Sequence, residues 1–288
     1  MSSRHFHERL QTELVIWAER IADIRAILVG GSQARQVKPA DEYSDLDLSF
    51  FVTGNDHHNR DSYLAWMREF APVWMILDEH QDDTQGWLIL YQGGIKVDFS
   101  VTPISVLQAL IDEHRLWSDQ QRGYIILVDK DGMAAQLPAP TPFVPPPYTS
   151  PTQTQFIKCV EGYFYGAVYL AKQLTRGNLW KAKWADRIQQ PLLLEMLEWH
   201  AHATLDTPID TYNRGDFMRD WVSKTTWQEL HLVFAHFDAD DSWKALLASL
   251  HLFHRLTEET AVKLGYAYPR IMISEVLAYI EKLHRIGS

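Results

Sequence analysis

The chain has a single cysteine, Cys159, in 288 residues, so an intrachain disulfide and a cysteine-rich zinc site are both excluded and helix packing is the role left to that thiol. No uninterrupted apolar run reaches the roughly 20 residues that a membrane-spanning helix needs. The opening MSSRHFHERL has no secretory hydrophobic stretch. These absences predict a cytoplasmic protein without a membrane partner. Basic residues are also scarce, with 27 Lys and Arg against 37 Asp and Glu and a formal net charge of -10. Proteins that grip nucleic-acid backbones usually show basic surfaces, because phosphate neutralisation dominates their affinity. No nucleic-acid partner is therefore expected. An acidic surface steers cationic ligands toward the protein, although the same charge also serves plain solubility.

Proline is concentrated in one place. Seven of the thirteen prolines, Pro138, Pro140, Pro142, Pro145, Pro146, Pro147 and Pro151, crowd LPAPTPFVPPPYTSP. Such a run is neither helix nor central strand, and it reads as a stiff connector over 138–151. The domains expected on either side are 1–137, a small mixed sheet with helices, and 152–288, an all-α bundle, giving an α+β chain overall. In the first domain a helix is predicted over Phe6–Ala22 and strands over Ala26–Val29 and Trp74–Leu77. Trp87–Tyr91 and Ile95–Val101 read as a hairpin around Gly93-Gly94, and Tyr124–Val128 as a last strand. Asp78, Glu79, Asp82 and Asp83 read as an acidic loop, and His57 and His58 as loop histidines. In the second domain helices are expected over Phe156–Thr175, from Pro191 onward, over Trp227–Phe237 and Ser242–Leu264, and finally over Ile273–Leu283.

The chemistry concentrates in AILVGGSQARQVKPADEYSDLDLSFFV. An apolar strand delivers Gly30-Gly31-Ser32, and a second strand opens with Asp45 and Asp47. Period-two alternation puts both carboxylates on one face while Leu46 and Leu48 point into a core. Two carboxylates about 4 Å apart repel by roughly 4 kcal/mol at an effective dielectric near 20. A hard divalent ion such as magnesium offsets that naturally, leaving positions for water and phosphate oxygens. Gly31 allows close backbone approach to a phosphate, and Ser32 is placed to donate to it from the start of a short helix. A third acid, Asp98, lies in IKVDFSV with Lys96 and Ser100 on its face and Ile95, Val97 and Phe99 on the other. It completes a three-carboxylate cluster if its strand adjoins the first pair.

GGS, a DxD strand and a later lone Asp resemble the nucleotidyltransferase superfamily that includes polymerase beta and the aminoglycoside-modifying nucleotidyltransferases. Within it, PADEYSDLDLSFFV is similar to the aminoglycoside 6-adenylyltransferase (streptomycin adenylyltransferase) group, and YLAKQLTRGNLWKAKWADR, LLLEMLEWHAH and LFHRLTEETAVKLGYAYPRIMISEVLAYIEKL agree with it. Where the family has Arg after Gly-Ser this chain has Gln33, and where it has Asn there is Arg35, so Arg35 becomes the candidate for a shifted phosphate contact. The resemblance implies a polymerase beta-like N-terminal fold and transfer of AMP from ATP to a hydroxyl of a cationic aminoglycoside, with release of pyrophosphate. It also implies two magnesium ions held by Asp45, Asp47 and Asp98. Asp98 is either a metal ligand or the general base that takes the acceptor's proton.

The second domain is expected to supply the remaining contacts. Lys172 and Arg176 lie one helical turn apart and Lys183 follows, cations suited to a triphosphate. Trp184, Asp186 and Glu195 combine a ring face with acids that pair with amino or guanidino groups, the acceptor-site candidates. Two other readings share these residues: a nucleotidyltransferase acting on a protein or another metabolite, and a non-catalytic nucleotide-binding regulator. The sequence is silent on oligomeric state.

Overall fold

The computed structural model describes residues 2–53, 60–81, 84–140 and 148–287. His57, His58, Asp82, Asp83 and the prolines from Pro142 to Pro147 lie outside the described residues. The chain divides into two compact units, Met1–Pro146 and Pro147–Ser288.

In the first unit helix α1, Ser3–Glu19, starts where the Ser2 side chain accepts a hydrogen bond from the His5 backbone N–H. It buries Phe6, Leu10, Leu14 and Ala18, one face at helical spacing. Strand β1, Ile24–Val29, leads through a single helical turn, α2, Gly31–Ala34, to β2, Leu46–Val52. Helix α3, Arg60–Phe70, precedes three consecutive strands, β3 Val73–Gln81, β4 Thr84–Tyr91 and β5 Ile95–Pro103. Helix α4, Ile104–Asp112, and strand β6, Ile125–Asp129, complete the unit. The sheet order is β3-β4-β5-β2-β1-β6, with β2 and β5 parallel and the other neighbours antiparallel.

Alternation then sorts the side chains. Leu46, Leu48, Phe50, Val97, Phe99 and Val101 pack with α1 and α3 in the main core. The opposite face is only partly covered, with Leu107 and Leu110 of α4 packing on Ala26, Leu28 and Phe51. Asp47, Ser49, Asp98 and Ser100 occupy the part of that face left open, where polar groups keep access to water.

Two expectations for this unit change. Asp78 and Glu79 belong to β3 and pair with Trp87 and Gly86 of β4, where a loop was expected. The ladder with β4 continues to Gln81, and charged side chains suit an edge strand, where they discourage pairing with another chain. Helix α1 also starts earlier than its apolar spacing indicates, because Ser2 supplies the cap, and it ends at Glu19.

The second unit is helical. Helix α5, Gln153–Thr175, opens with a capping box in which Thr152 and Gln155 satisfy each other's backbone N–H groups. Helix α6, Leu179–Thr204, carries Pro191 in its interior, whereas the sequence reading starts a helix there. Pro191 and Arg187 are both exposed, so the carbonyl that loses its intrahelical donor faces water. Short helices α7, Met218–Trp221, and α8, Lys224–Leu230, follow. The stretch expected as helix to Phe237 is therefore turns after Leu230. Asp238 then caps α9, Ala239–Leu264, by accepting from the Asp241 N–H at 2.8 Å. Helix α10, Arg270–Gly287, ends the chain. Phe156, Val160, Phe164, Met196, Leu250, Phe253, Leu256, Ile273 and Ile280 form its core, with Tyr163 stacked on Phe253 at 3.6 Å between ring centroids. Among the described residues no helix is long and apolar enough to cross a membrane.

Phe253 is fully buried in this core. Phe253→Ala is expected to destabilise the helical unit by about 3 to 5 kcal/mol, measured by denaturant unfolding followed by far-ultraviolet circular dichroism.

Candidate active site

The site is assembled by pairing across β2 and β5. Their parallel register sets Asp47 opposite Asp98 and Ser49 opposite Ser100, so the two acids are direct neighbours on the open face. The loop ahead of β2 is closed on itself. The Asp41 carboxylate accepts from the Tyr43 N–H and the Ser44 hydroxyl, each at 2.9 Å, and the Ser44 hydroxyl oxygen accepts from the Asp41 N–H at 2.9 Å. Those bonds, with the Ser44 hydroxyl first among them, hold the Asp41 carboxyl below its ordinary range. This turn delivers Asp45 to the start of β2.

The turn after β1 closes over the same place. The Gly30 N–H donates to the Asp47 carbonyl at 3.0 Å. Gly31 has φ +60°, and a Cβ there would sit 1.9 Å from Asp47 Oδ2, so both backbone conformation and space demand glycine. Ser32 follows, half-buried, in α2. Gln33 donates from Nε2 to the Asp45 carbonyl at 3.1 Å, with His7 Nδ1 at 3.2 Å from the same nitrogen. Gln33 thus fixes the backbone of the first acid. Arg35 donates from Nε to the Lys38 carbonyl within its own loop.

Lys96 lies at the centre of the acids. Its ammonium donates to Asp45 Oδ2 at 2.8 Å and to Asp98 Oδ2 at 2.6 Å. Burial opposes its charge, but the two carboxylates outweigh that and hold the ammonium well above its ordinary pKa. Burial pushes the Asp98 carboxyl up, with Lys96 acting against it. Asp47 is pushed up to about 6, by burial first and then by Asp98, Asp45 and Asp119. Asp119 itself is raised by burial. It sits in the loop before the turn Gln120–Arg122, with Oδ2 3.1 Å from where a Cβ on Gly30 would lie.

Asp47, Asp98 and Asp119 border a cleft of about 590 Å³ whose wall also includes Ser49, Glu79, Ser100 and Trp117. Hard carboxylate oxygens on adjacent strands suit a magnesium-like cation, and Asp98 Oδ1 is buried without a hydrogen-bond partner among the described residues. The donor set therefore fits such an ion. As arranged, Lys96 engages one oxygen of Asp45 and one of Asp98, and among the described residues no group of three or more His, Cys, Asp or Glu is gathered as a metal site.

A family model described as streptomycin adenylyltransferase matches residues 5–283. The chain belongs to that family. It is thereby an enzyme of the nucleotidyl-transferring class. Its similarity extends to the aminoglycoside 6-adenylyltransferase of Campylobacter jejuni, 26% identical over 255 residues that make up 85% of each chain. The aminoglycoside 6-adenylyltransferase of Bacillus subtilis (strain 168) is 23% identical, over 85% of this chain and 87% of that one. The crystal structure of an aminoglycoside 6-adenyltransferase from Bacillus subtilis is 20% identical over 96% of this chain and 97% of that one, with a TM-score of 0.45.

The helical unit distributes its candidate residues for this streptomycin adenylyltransferase family member over several places. Lys172 is exposed near the end of α5, with its ammonium 5.7 Å from the centre of the Tyr279 ring, and Arg176 caps the same helix. Lys183 donates to the Ala235 carbonyl at 2.9 Å, and burial holds its ammonium below the ordinary range. On α6, Trp184 is exposed and Asp186 is half-buried against α9, beside Ser242 and Ala245. Glu195 lines a different groove, with Lys158, Gly162 and Tyr165 of α5. Asp186 and Glu195 line separate cavities. The sequence reading assigned no role to Lys96 or Asp119. Alternation in IKVDFSV already sets Lys96 beside Asp98, whereas the loop holding Asp119 carries no periodic signal.

Burial and the neighbouring acids raise the Asp47 carboxyl to about 6, above the range of an unfolded aspartate, so its charged form disfavours the fold. The contribution is favourable at low pH and lost as pH rises from about 4 through about 6. In metal-free protein, Asp47→Asn is expected to gain stability relative to the parent chain as pH goes from about 4 to about 7, by at most about 3 kcal/mol. Urea unfolding across that range checks this.

Proposed function

We propose that this enzyme transfers AMP from ATP to a hydroxyl group of a cationic aminoglycoside of the streptomycin type, releasing pyrophosphate. The observation that carries the reading is the register of Asp47 with Asp98 across β2 and β5, beside the Gly30-Gly31-Ser32 turn, in a chain of the streptomycin adenylyltransferase family. Relatives over most of its length bear the name aminoglycoside 6-adenylyltransferase.

Asp45, Asp47 and Asp98 are the residues that would hold magnesium. When bound, the ion supplies charge neutralisation at the phosphates and a lowered pKa at the acceptor oxygen. The chain's own groups do the rest. Gly31 and Ser32 border the phosphates next to Asp47, and Ser32 donates from its hydroxyl. Lys172, Arg176 and Lys183 of the helical unit are assigned to the triphosphate, where cations offset the charge carried to the leaving pyrophosphate. Asp98 accepts the proton of the acceptor hydroxyl as that hydroxyl's oxygen bonds to the α-phosphorus and the bond to pyrophosphate breaks.

The acceptor's chemistry fits the acids of the cleft. Asp47, Glu79, Asp98 and Asp119 make its wall negative, which draws amino and guanidino groups. Trp184, Asp186 and Glu195 of α6 are assigned to the acceptor. Because they are spread along α6, Glu195 contacts a different part of the acceptor from Asp186.

Incubation with ATP, magnesium and streptomycin is expected to release pyrophosphate and add an adenylyl group to the antibiotic, read by mass spectrometry. Asp47→Asn and Asp98→Asn should each lower the turnover by about 10³-fold or more, with circular dichroism unchanged. Turnover equal to the parent in either variant would overturn the assignment, and no transfer across an aminoglycoside panel would overturn the acceptor.

A further inference from the structure

Lys96 occupies the position that the proposed function requires for a divalent ion. It stands on β5 two residues before Asp98 and on the same face, and its ammonium reaches Asp45 and Asp98 at once, at 2.8 and 2.6 Å. Both contacts use the same kind of oxygen that a hard cation takes. A divalent ion entering while the ammonium stays would set two like charges at the same carboxylates, so one excludes the other. The Lys96 side chain retains 37% of its exposure, which leaves an open direction in which to withdraw.

We propose that Lys96 is a resident counter-ion of the acid cluster, holding Asp45 and Asp98 together in the unloaded enzyme and leaving them when a divalent cation binds. The inference rests on the reading of Asp45, Asp47 and Asp98 as the metal-binding residues. It assigns Lys96 a positioning role with a defined consequence. Free metal ion competes with an ammonium group of the chain and binds poorly alone. An ion arriving with a nucleotide brings phosphate oxygens that give the displaced ammonium a new anionic partner. The site thereby discriminates against ions without nucleotide.

The test uses the full chain, without nucleotide, and Mn²⁺ as the probe, with free ion counted by electron paramagnetic resonance. Lys96→Met is expected to bind Mn²⁺ about tenfold more tightly than the parent or better, and Lys96→Arg to stay near the parent. A lysine with a merely structural role would act with the opposite sign, since its loss would splay the acids and weaken the ion. Mn²⁺ binding by Lys96→Met that is no tighter than the parent's overturns the proposal and leaves the metal assignment standing. Tight binding that survives Asp47→Asn combined with Asp98→Asn puts the ion elsewhere and overturns the metal assignment with it. A measurement on the unmodified sequence covers the case in which the Met variant does not fold. Acylation of the Lys96 amine, followed by peptide mass spectrometry, is expected to accelerate when Mn²⁺ is added, and an unchanged or slower rate overturns the proposal.

Discussion

Acids set side by side on parallel strands repel, and a fold that tolerates the repulsion needs a compensating group at the same place. Here Asp47 faces Asp98 across β2 and β5, Asp45 stands just ahead, and Lys96 supplies the compensation from within the sheet. The surrounding architecture follows from that requirement. The inner face of the same two strands carries Leu46, Leu48, Val97 and Phe99 in the main core, so the strands cannot shift by one residue without burying the carboxylates. Helix α4 covers Phe51 on the outer face, and its Val106 borders the cleft onto which the acids open. Water and ligand therefore reach the charged half of the face, while the apolar half stays dry.

The turn after β1 answers the same requirement from the other side. Gly31 leaves room for Asp47 Oδ2, and Gly30 donates its N–H to the Asp47 carbonyl. The opposite loop closes in as well, since Gly123, at φ +147°, brings its backbone against Ala34 at a distance no side chain would allow. This approach seats Asp119 over Gly30. The glycines thus act by admitting carboxylates and backbone into one small volume, and Gln33 and Ser44 fasten the loops that carry them.

Much of this was legible in the residues. The alternation of LDLSFFV and IKVDFSV identifies two strands with acids on one face, and GGS marks the turn between apolar segments. The neighbour relation of the two acid-bearing strands is a matter of topology that alternation does not carry, and it required the family resemblance. Lys96 was visible on the correct face, but its reach to Asp45 depends on strand order. Asp119 had no local pattern at all, because a loop residue is placed by tertiary approach. The misread helix start at Pro191 has a similar origin. Proline penalises a helix interior only where the freed carbonyl lacks another partner, and exposure at Arg187 and Pro191 removes that condition. Likewise, Asp78 and Glu79 resemble loop residues until an edge position makes charge compatible with a strand.

The parallel pairing of β2 with β5 has a further consequence for how the molecule comes into being. Lys96 and Asp45 are 51 residues apart in the chain, and α3, β3 and β4 lie between them. During synthesis the first two acids leave the ribosome well before the strand bearing the third, and closing so long a loop costs chain entropy that only the finished sheet returns. A chain ending before β5 lacks both Lys96 and Asp98, and so has neither the counter-charge of Asp45 nor the neighbour of Asp47.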